Sequence, residues 1–419
     1  MRFRLSCLAM LAAFALPSMA QTLPALTLEE ALARAAEQSR GLEARRFQAQ
    51  SAREMAVMVG QRPDPRLSLA LSNVPVDGPQ RGSLTSEPMT MRSIGLMQTL
   101  TRADKLDAHR ERAMREADLA GADAQVDLAA LQRDAALAWL DRSLQQSRIV
   151  LLRAQRDEAE RQAQAVEAVY RSGGGAQADV FAARANLERV DDRIDQATRD
   201  ADIARVQLAR WVGDAAARPV AERPAFVLPA WTTRPLVQAL LVHPQVEAAA
   251  RLRSLAEADT VVADVNRKSD WSVEVMYSRR GPSFSNMVSV NLSVPLQWDA
   301  PLRQDRELAA RQAMVERAKA MRDDRLRAVE AEVAAALEAW RSHQRRLQRF
   351  DDPLLPMARQ RRDAALSAYR AGSGTLAEVL AARSAEIDVE LDRLALQIDI
   401  ARVWAQLHTM LPESARTAP

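Results

Sequence analysis

A mainly α-helical fold with a small β part is what the sequence predicts, built from long antiparallel coiled-coil hairpins and four short strands. Composition is the first sign. Of 419 residues 48% are hydrophobic yet only 4% are aromatic, and Ala, Arg and Leu lead the composition, with many Glu and Gln, the material of long helices rather than of a mixed globular core. The second sign is a run without breakers: Thr101 to Tyr170 holds no proline and a single glycine, Gly121. As one helix it would reach about 105 Å at 1.5 Å per residue, beyond any compact domain. Third, two places switch to a period of two, the signature of strands with one apolar face.

The chain opens with Arg2 and Arg4, an apolar stretch from Leu5 to Leu16, and the small-x-small triplet Ser18-Met19-Ala20. Residues 1–20 therefore read as a cleaved secretory signal peptide. The apolar stretch is shorter than the roughly 20 residues that a spanning helix needs. The single cysteine, Cys7, sits inside that signal, without the spacing of a lipid-anchored terminus. From Gln21 onward neither disulfides nor cysteine–metal chemistry is available. Lys and Arg number 58 against 55 Asp and Glu, with the signs interspersed, which gives no case for nucleic acid as a partner.

Leu28 to about Val59 has one helical stripe, with Leu32, Ala35, Ala36, Leu42, Phe47, Ala49 and Met55 on it. Pro63 and Pro65 end that helix. Leu67, Leu69 and Leu71 then alternate with Ser68, Ala70 and Ser72, as in a strand. A loop from Pro75 to Pro88 leads to a second extended run ending near Leu100. There Met89 and Met91 are out of phase with Ile94 and Leu96, a pattern that suggests a bulge. In the second half Trp271, Val273, Val275 and Tyr277 alternate with polar or flexible residues, Gly281-Pro282 turns, and Val288, Val290, Leu292 and Val294 alternate again. Pro301 to Tyr369 repeats the long helix, with Pro353 and Pro356 expected to kink it. After each glycine-rich break a helix of about ten turns returns, Ala178 to Val212 and Leu376 to Leu411.

The halves are copies of one plan. YRSGGGAQADVFAAR from Tyr170 answers YRAGSGTLAEVLAAR from Tyr369, "DIARV" from Asp202 recurs from Asp399, and "LEEAL" from Leu28 answers "LVQAL" from Leu236. The separations stay at about 200 residues, as in a tandem duplication. The expected organisation is a first repeat over 21–212 (strand pair 66–100, tip 170–178) and a linker over 213–234. A second repeat covers 235–412 (strand pair 270–297, tip 369–377), followed by a tail over 413–419. Each Tyr-Arg-x-Gly stretch is thus the tip of a helical hairpin. A strand hairpin cannot bury its apolar face alone, and hydrocarbon does not tolerate unpaired edges. Closure has to come from other copies of the chain; three would supply about 12 strands, within the range of outer-membrane barrels.

This order of elements, met twice, resembles the TolC-type outer-membrane factors, and most of all the duct components of heavy-metal resistance-nodulation-division exporters. The residues that carry the resemblance are the Leu28–Leu32 opening, His243-Pro244, the two strand pairs, and the doubled tips followed by Asp179-Val180 and Glu378-Val379-Leu380. The segments RPDPRLSLALSNVPVDGP from Arg62 and MTMRSIG from Met89 carry its heavy-metal flavour. The resemblance implies a homotrimer whose twelve strands form one transmembrane β-barrel in the outer membrane of a Gram-negative bacterium, in contact with its lipid. Its helices would form an α-barrel across the periplasm, with the linker in an equatorial belt. It also implies a passive exit duct, not an enzyme and without a cofactor. A periplasmic adaptor would dock at the tips, at Tyr170, Arg171, Gly173, Gly174, Gly175, Tyr369, Arg370, Gly372 and Gly374, and join the duct to an inner-membrane pump of the resistance-nodulation-division type. Asp179 and Glu378 match positions at the narrowed mouth, where threefold symmetry would make carboxylate rings. Two departures bear on a closed-state latch: Gly374 stands where some members have a basic residue, and Ala381 where a second acidic one is found.

Plainer readings stand beside these. A glycine tip can be just a helix-to-helix turn, and Asp179 and Glu378, in the first turns of helices, suit the helix dipole. Trp139 and Trp340 fit a helical core, and the tip tyrosines fit packing beneath their turns. Met55, Met58, Met89, Met91, Met97, Met276 and Met287 are thioethers suited to soft monovalent copper or silver, yet methionine is ordinarily a gap filler. His109, His243, His343 and His408 lack ligand spacing. No nucleophile, base and carboxylate stand at catalytic spacing. A soluble periplasmic coiled-coil scaffold or adaptor is the competing reading, and it has no need of the alternating strands.

Overall fold

The computed structural model describes residues 24–412. The signal peptide, Cys7, the start at Gln21 and the tail over 413–419 lie outside the described residues. The first helix, α1 (Leu28–Gln38), begins at Thr27, whose hydroxyl accepts from the Glu30 amide at 3.1 Å. It does not run on to Val59. Ser39 ends it and caps α2 (Arg40–Val59), accepting from the Leu42 amide at 3.2 Å. A serine that bonds the backbone locally competes with the helix, which the apolar stripe alone does not reveal.

After α2 come β1 (Arg66–Ser72) and β2 (Met91–Leu100), then α3 (Ala103–Arg171), 69 residues without interruption. The returning helix is α4 (Gln177–Val212). Short 3-10 turns at Gly213–Ala217 and Ala230–Thr233 punctuate the connection to α5 (Leu236–Leu240) and α6 (Pro244–Val265). As Ser39 does in the first half, His243 caps the second of these helices through Nδ1, with Pro244 at the first helical position. The strands β3 (Trp271–Arg279) and β4 (Met287–Ser293) follow, then α7 (Gln304–Arg349), α8 (Leu355–Arg370) and α9 (Leu376–Thr409). A π turn at Phe350–Leu354 separates α7 from α8, with Pro353 inside it and Asp352 at φ −150°. This is the break that the two prolines predict.

The four strands form one antiparallel sheet in the order β1-β2-β3-β4. Its register is one-to-one throughout, with Leu69 opposite Ile94, Ile94 opposite Tyr277 and Tyr277 opposite Val288. No bulge separates Met91 from Ile94. Met91 is out of phase because it belongs to the opposite face.

The largest core lies among the helices. Trp139, Leu140 and Leu144 of α3, Leu208 and Val212 of α4, Trp340 of α7 and Ile400, Ala401 and Trp404 of α9 pack with Leu26 and Leu28. The two indoles that donate from this core both tie down irregular chain: Trp139 Nε1 to the Leu26 carbonyl and Trp404 Nε1 to the Val227 carbonyl, each at 2.9 Å. Leu26 also forms a parallel bridge with Val220. Beside it Arg218 clasps Glu30 with both terminal nitrogens, at 2.6 and 2.9 Å. The connection between the halves is thereby fastened to the segment before α1, to α1 itself and to α9.

Candidate functional site

Two regions carry the expected function, the sheet and the hairpin tips. Side chains alternate across a strand, so the register sorts every strand residue onto one of two faces. One face carries Leu67, Leu69, Leu71, Ile94, Leu96, Leu100, Trp271, Val275, Tyr277, Val288, Val290 and Leu292, all exposed. The other carries Ser68, Ser72, Ser93, Gly95, Thr99, Ser272, Glu274, Ser278, Ser289, Asn291 and Ser293. On this polar face Ser93 and Ser278 share a hydrogen bond of 2.8 Å and are buried, as on the concave side of a curled sheet. An aliphatic wall facing outward, with the outer edges of β1 and β4 unpaired among the described residues, is the state of a barrel segment rather than of a finished sheet.

At the first tip, Ser172 ends α3 and Gly173 turns with φ +83°. The Gly173 and Gly174 amides donate to the carbonyls of Tyr170 and Val169, each at 3.0 Å. Only glycine adopts such a φ without strain. A Cβ on Gly174 or Gly175 would meet Val169 Cγ1 at ordinary contact distance, so those two glycines answer no steric demand within the chain. Arg171 and Arg184 both grip Glu167, at 2.5 and 3.1 Å. These guanidiniums, Arg184 foremost, hold the Glu167 carboxyl below its usual range. Asp179 lies in the first turn of α4, half-buried, behind a cap residue, Ala176, that makes no side-chain bond.

The second tip repeats the turn with Gly372 at φ +74°. Gly374 differs from its counterparts, because a Cβ there would come within 3.0 Å of Ala368 Cβ and 3.2 Å of the backbone behind it. Thr375 and Glu378 form a reciprocal capping box at the start of α9. The Thr375 hydroxyl accepts from the Glu378 amide at 3.3 Å, and the Glu378 carboxylate accepts from the Thr375 amide at 2.8 Å. That second bond is the main reason the Glu378 carboxyl titrates below its ordinary value. The tips are also joined to each other. Leu376 is buried in a cluster with Val166, Val180 and Ala183, against which Tyr369 packs. Tyr170, by contrast, is 41% exposed.

Residues 31–214 match the family described as outer membrane efflux protein, a stretch that includes β1, β2 and the entire first hairpin with its tip. This stretch, somewhat under half of the chain, is similar to outer membrane efflux proteins. Solved outer-membrane channels share the fold over about nine-tenths of the whole chain. VceC from Vibrio cholerae superposes with a TM-score of 0.73 at 18% identity, covering 91% of this chain and 95% of VceC. CusC gives 0.76 at 17% identity, covering 91% of each chain. The open state of the MtrE outer membrane channel of Neisseria gonorrhoeae gives 0.70 at 17% identity, covering 91% of this chain and 88% of MtrE. At these identities the likeness shows the fold. No curated protein matches the sequence.

One feature of the helical hairpins has no signature in the sequence pattern. About two turns beyond Glu378, Arg383 and Glu386 of α9 are buried and paired at 2.8 Å. Arg362 of α8 reaches Glu386 at 2.7 Å, and Arg383 also meets Glu158 of α3. One turn further, Gln155 of α3 donates to Glu390 at 2.7 Å. This chain of charges ties the second hairpin to the first. Its members look like ordinary helix-surface residues until α3, α8 and α9 are packed together. Among the described residues no group of three or more His, Cys, Asp or Glu side chains is placed to hold a metal ion.

Proposed function

We propose that the chain is one protomer of a homotrimeric outer-membrane duct. As the exit component of a tripartite efflux system, it passively conducts cargo from an inner-membrane pump and a periplasmic adaptor to the exterior. The observation that carries this reading is the sheet: a wall of exposed aliphatic side chains and two unpaired outer edges, fused to a helix that at 1.5 Å per residue is about 100 Å long. Such a sheet is stable in hydrocarbon only when its edges close, and three copies close it with about 12 strands. A soluble scaffold would leave that wall in water.

The hairpin tips are the docking ends for the adaptor, at Tyr170, Arg171, Gly173, Gly174 and Gly175 and at Tyr369, Arg370, Gly372 and Gly374. Gly174 and Gly175 support this reading, since their small size serves no contact inside the chain. Asp179 and Glu378 are the entrance carboxylates, each repeated three times around the axis, where they attract cations. The pump is of the resistance-nodulation-division type and the cargo is heavy-metal cations, on the resemblance of the segments that begin at Arg62 and Met89.

The test is reconstitution. Protein extracted from outer membranes in detergent should run as a trimer and conduct potassium in planar bilayers. A mature chain found wholly in the soluble periplasmic fraction would overturn the reading.

A further inference from the structure

Four methionines lie within the strands, and the register puts all four on the polar face. Met91 is opposite Ser72, Met97 opposite Glu274, Met276 opposite Gly95 and Ser289, and Met287 opposite Ser278. The aliphatic face has none; apart from Arg92 and Arg279 at one end and Gln98 towards the other, it is built from Leu, Ile, Val, Trp and Tyr. A methionine used as filler belongs where apolar atoms are buried. Here the thioethers share a surface with Ser, Thr, Asn and Glu, and Met287 is 45% exposed.

The four occupy successive levels along the sheet, each about 7 Å from the next because same-face residues recur every second position. Met97 and Met276 are diagonal neighbours across β2 and β3, and Met276 and Met287 are diagonal neighbours across β3 and β4. Diagonal pairs of this kind are about 7–8 Å apart, within reach of long side chains. Gly95 opens the space between them: a Cβ at that position would meet Ser68 Oγ, Glu274 Oε1 and, at 3.5 Å, Met276 Cε. Glu274 therefore lies beside the thioethers, its carboxylate accepting from Ser68 Oγ at 2.7 Å.

We infer that Met97, Met276 and Met287, with Glu274 beside them, form a transit site for soft monovalent cations of the copper(I) and silver(I) class on the inner wall of the barrel. The inference rests on the duct reading and narrows its cargo. Thioethers are neutral, polarisable ligands that select soft ions. Arg66, directly opposite Met97 on the same face, offsets the charge of Glu274. That level has no net attraction for hard divalent cations, and discrimination falls to sulfur. Met91, at the outer end of β2, continues the series towards the exterior.

The experiment uses the full-length protein in detergent, with silver(I) nitrate as the probe in chloride-free buffer. Bound silver is measured by equilibrium dialysis, and potassium conductance is measured on the same preparations. The wild type should retain silver against excess zinc(II). The variant Met97→Leu/Met276→Leu/Met287→Leu should lose that binding, whereas Met314→Leu/Met321→Leu/Met357→Leu, changed only in α7 and α8, should keep it. Leucine preserves volume, so retained potassium conductance shows that the strand variant is assembled. Equal silver binding by a conducting strand variant, or displacement of silver by zinc(II), would overturn the inference and leave the duct standing. Absence of conductance in the wild type would overturn the duct reading itself.

Discussion

Glu386 lies 2.8 Å from Arg383, one turn away on the same helix, and both side chains are nearly closed to solvent, at 2% and 9% exposure. Arg362 at 2.7 Å and Arg359 at 3.8 Å approach the same carboxylate. Removing it leaves the buried Arg383 guanidinium without that counter-charge. We expect Glu386→Gln to destabilise the protein by about 3 kcal/mol, the usual scale for breaking a buried pair. Denaturant unfolding followed by tryptophan fluorescence reads this directly. A loss below about 1 kcal/mol would mean that the site behaves as an exposed ion pair.

The Glu30–Arg218 clasp predicts a pH dependence. Hydrogen bonding to Arg218, first among the causes, holds the Glu30 carboxyl below its ordinary value of 4.5. A carboxyl lowered by folding contributes stability above its unfolded pKa and loses it as pH falls through the folded value. Glu30→Gln should therefore be less stable than wild type at pH 7, and the gap should narrow once the pH falls below about 4.5. Parallel unfolding curves at pH 7, 5 and 3.5 test the sign; a gap that widens in acid contradicts it.

The tip glycines should separate by physical cause. Gly173→Ala and Gly372→Ala each place a Cβ at positive φ and should cost about 1 kcal/mol. Gly374→Ala is resisted by Ala368 instead. Gly174→Ala should leave stability unchanged while weakening adaptor capture if clearance is its role. Thermal unfolding and a pull-down with the cognate adaptor give the two readouts, and Gly174→Ala that keeps full capture would refute the clearance role.

The two sheet faces should respond oppositely to charge. Val290, at the middle of β4 and 68% exposed, faces lipid on the duct reading, where an arginine costs about 2–4 kcal/mol near the bilayer midplane. Ser289→Arg, one residue earlier, points into the lumen. We expect Val290→Arg to reduce the assembled trimer in outer membranes, and Ser289→Arg to assemble normally while lowering cation conductance. Equal assembly of both would mean that the faces are misassigned.

Glu378 has two roles that a single substitution can part. Glutamine also completes a capping box, so Glu378→Gln retains the start of α9 and removes the charge. If the carboxylates ring the mouth, the variant should show weaker cation preference in reversal-potential measurements at neutral pH, with unchanged melting. Unchanged selectivity would leave Glu378 as a cap and nothing more.

What the sequence determined by itself is what neighbouring residues decide among themselves. The absence of breakers from Thr101 to Tyr170 makes α3, Pro353 marks the break after α7, and the alternation of Leu67, Leu69 and Leu71 makes β1. Gly173 and Gly372 mark the turns because positive φ is a local demand. Even so, one local feature misled: the apolar stripe continues across Ser39, where a side-chain cap divides the helix. The tertiary structure alone decided which distant residues meet. It removed the bulge that the phase of Met91 suggests, because pairing with β1 and β3 puts Met91 on the polar face, opposite to that of Ile94. It also brought Arg218 to Glu30 and Arg362 to Glu386. A side chain at period 3.6 or 2 announces which way it points, but not what it will face. That partner is chosen by helix packing and strand register, over separations where the sequence carries no periodic signal.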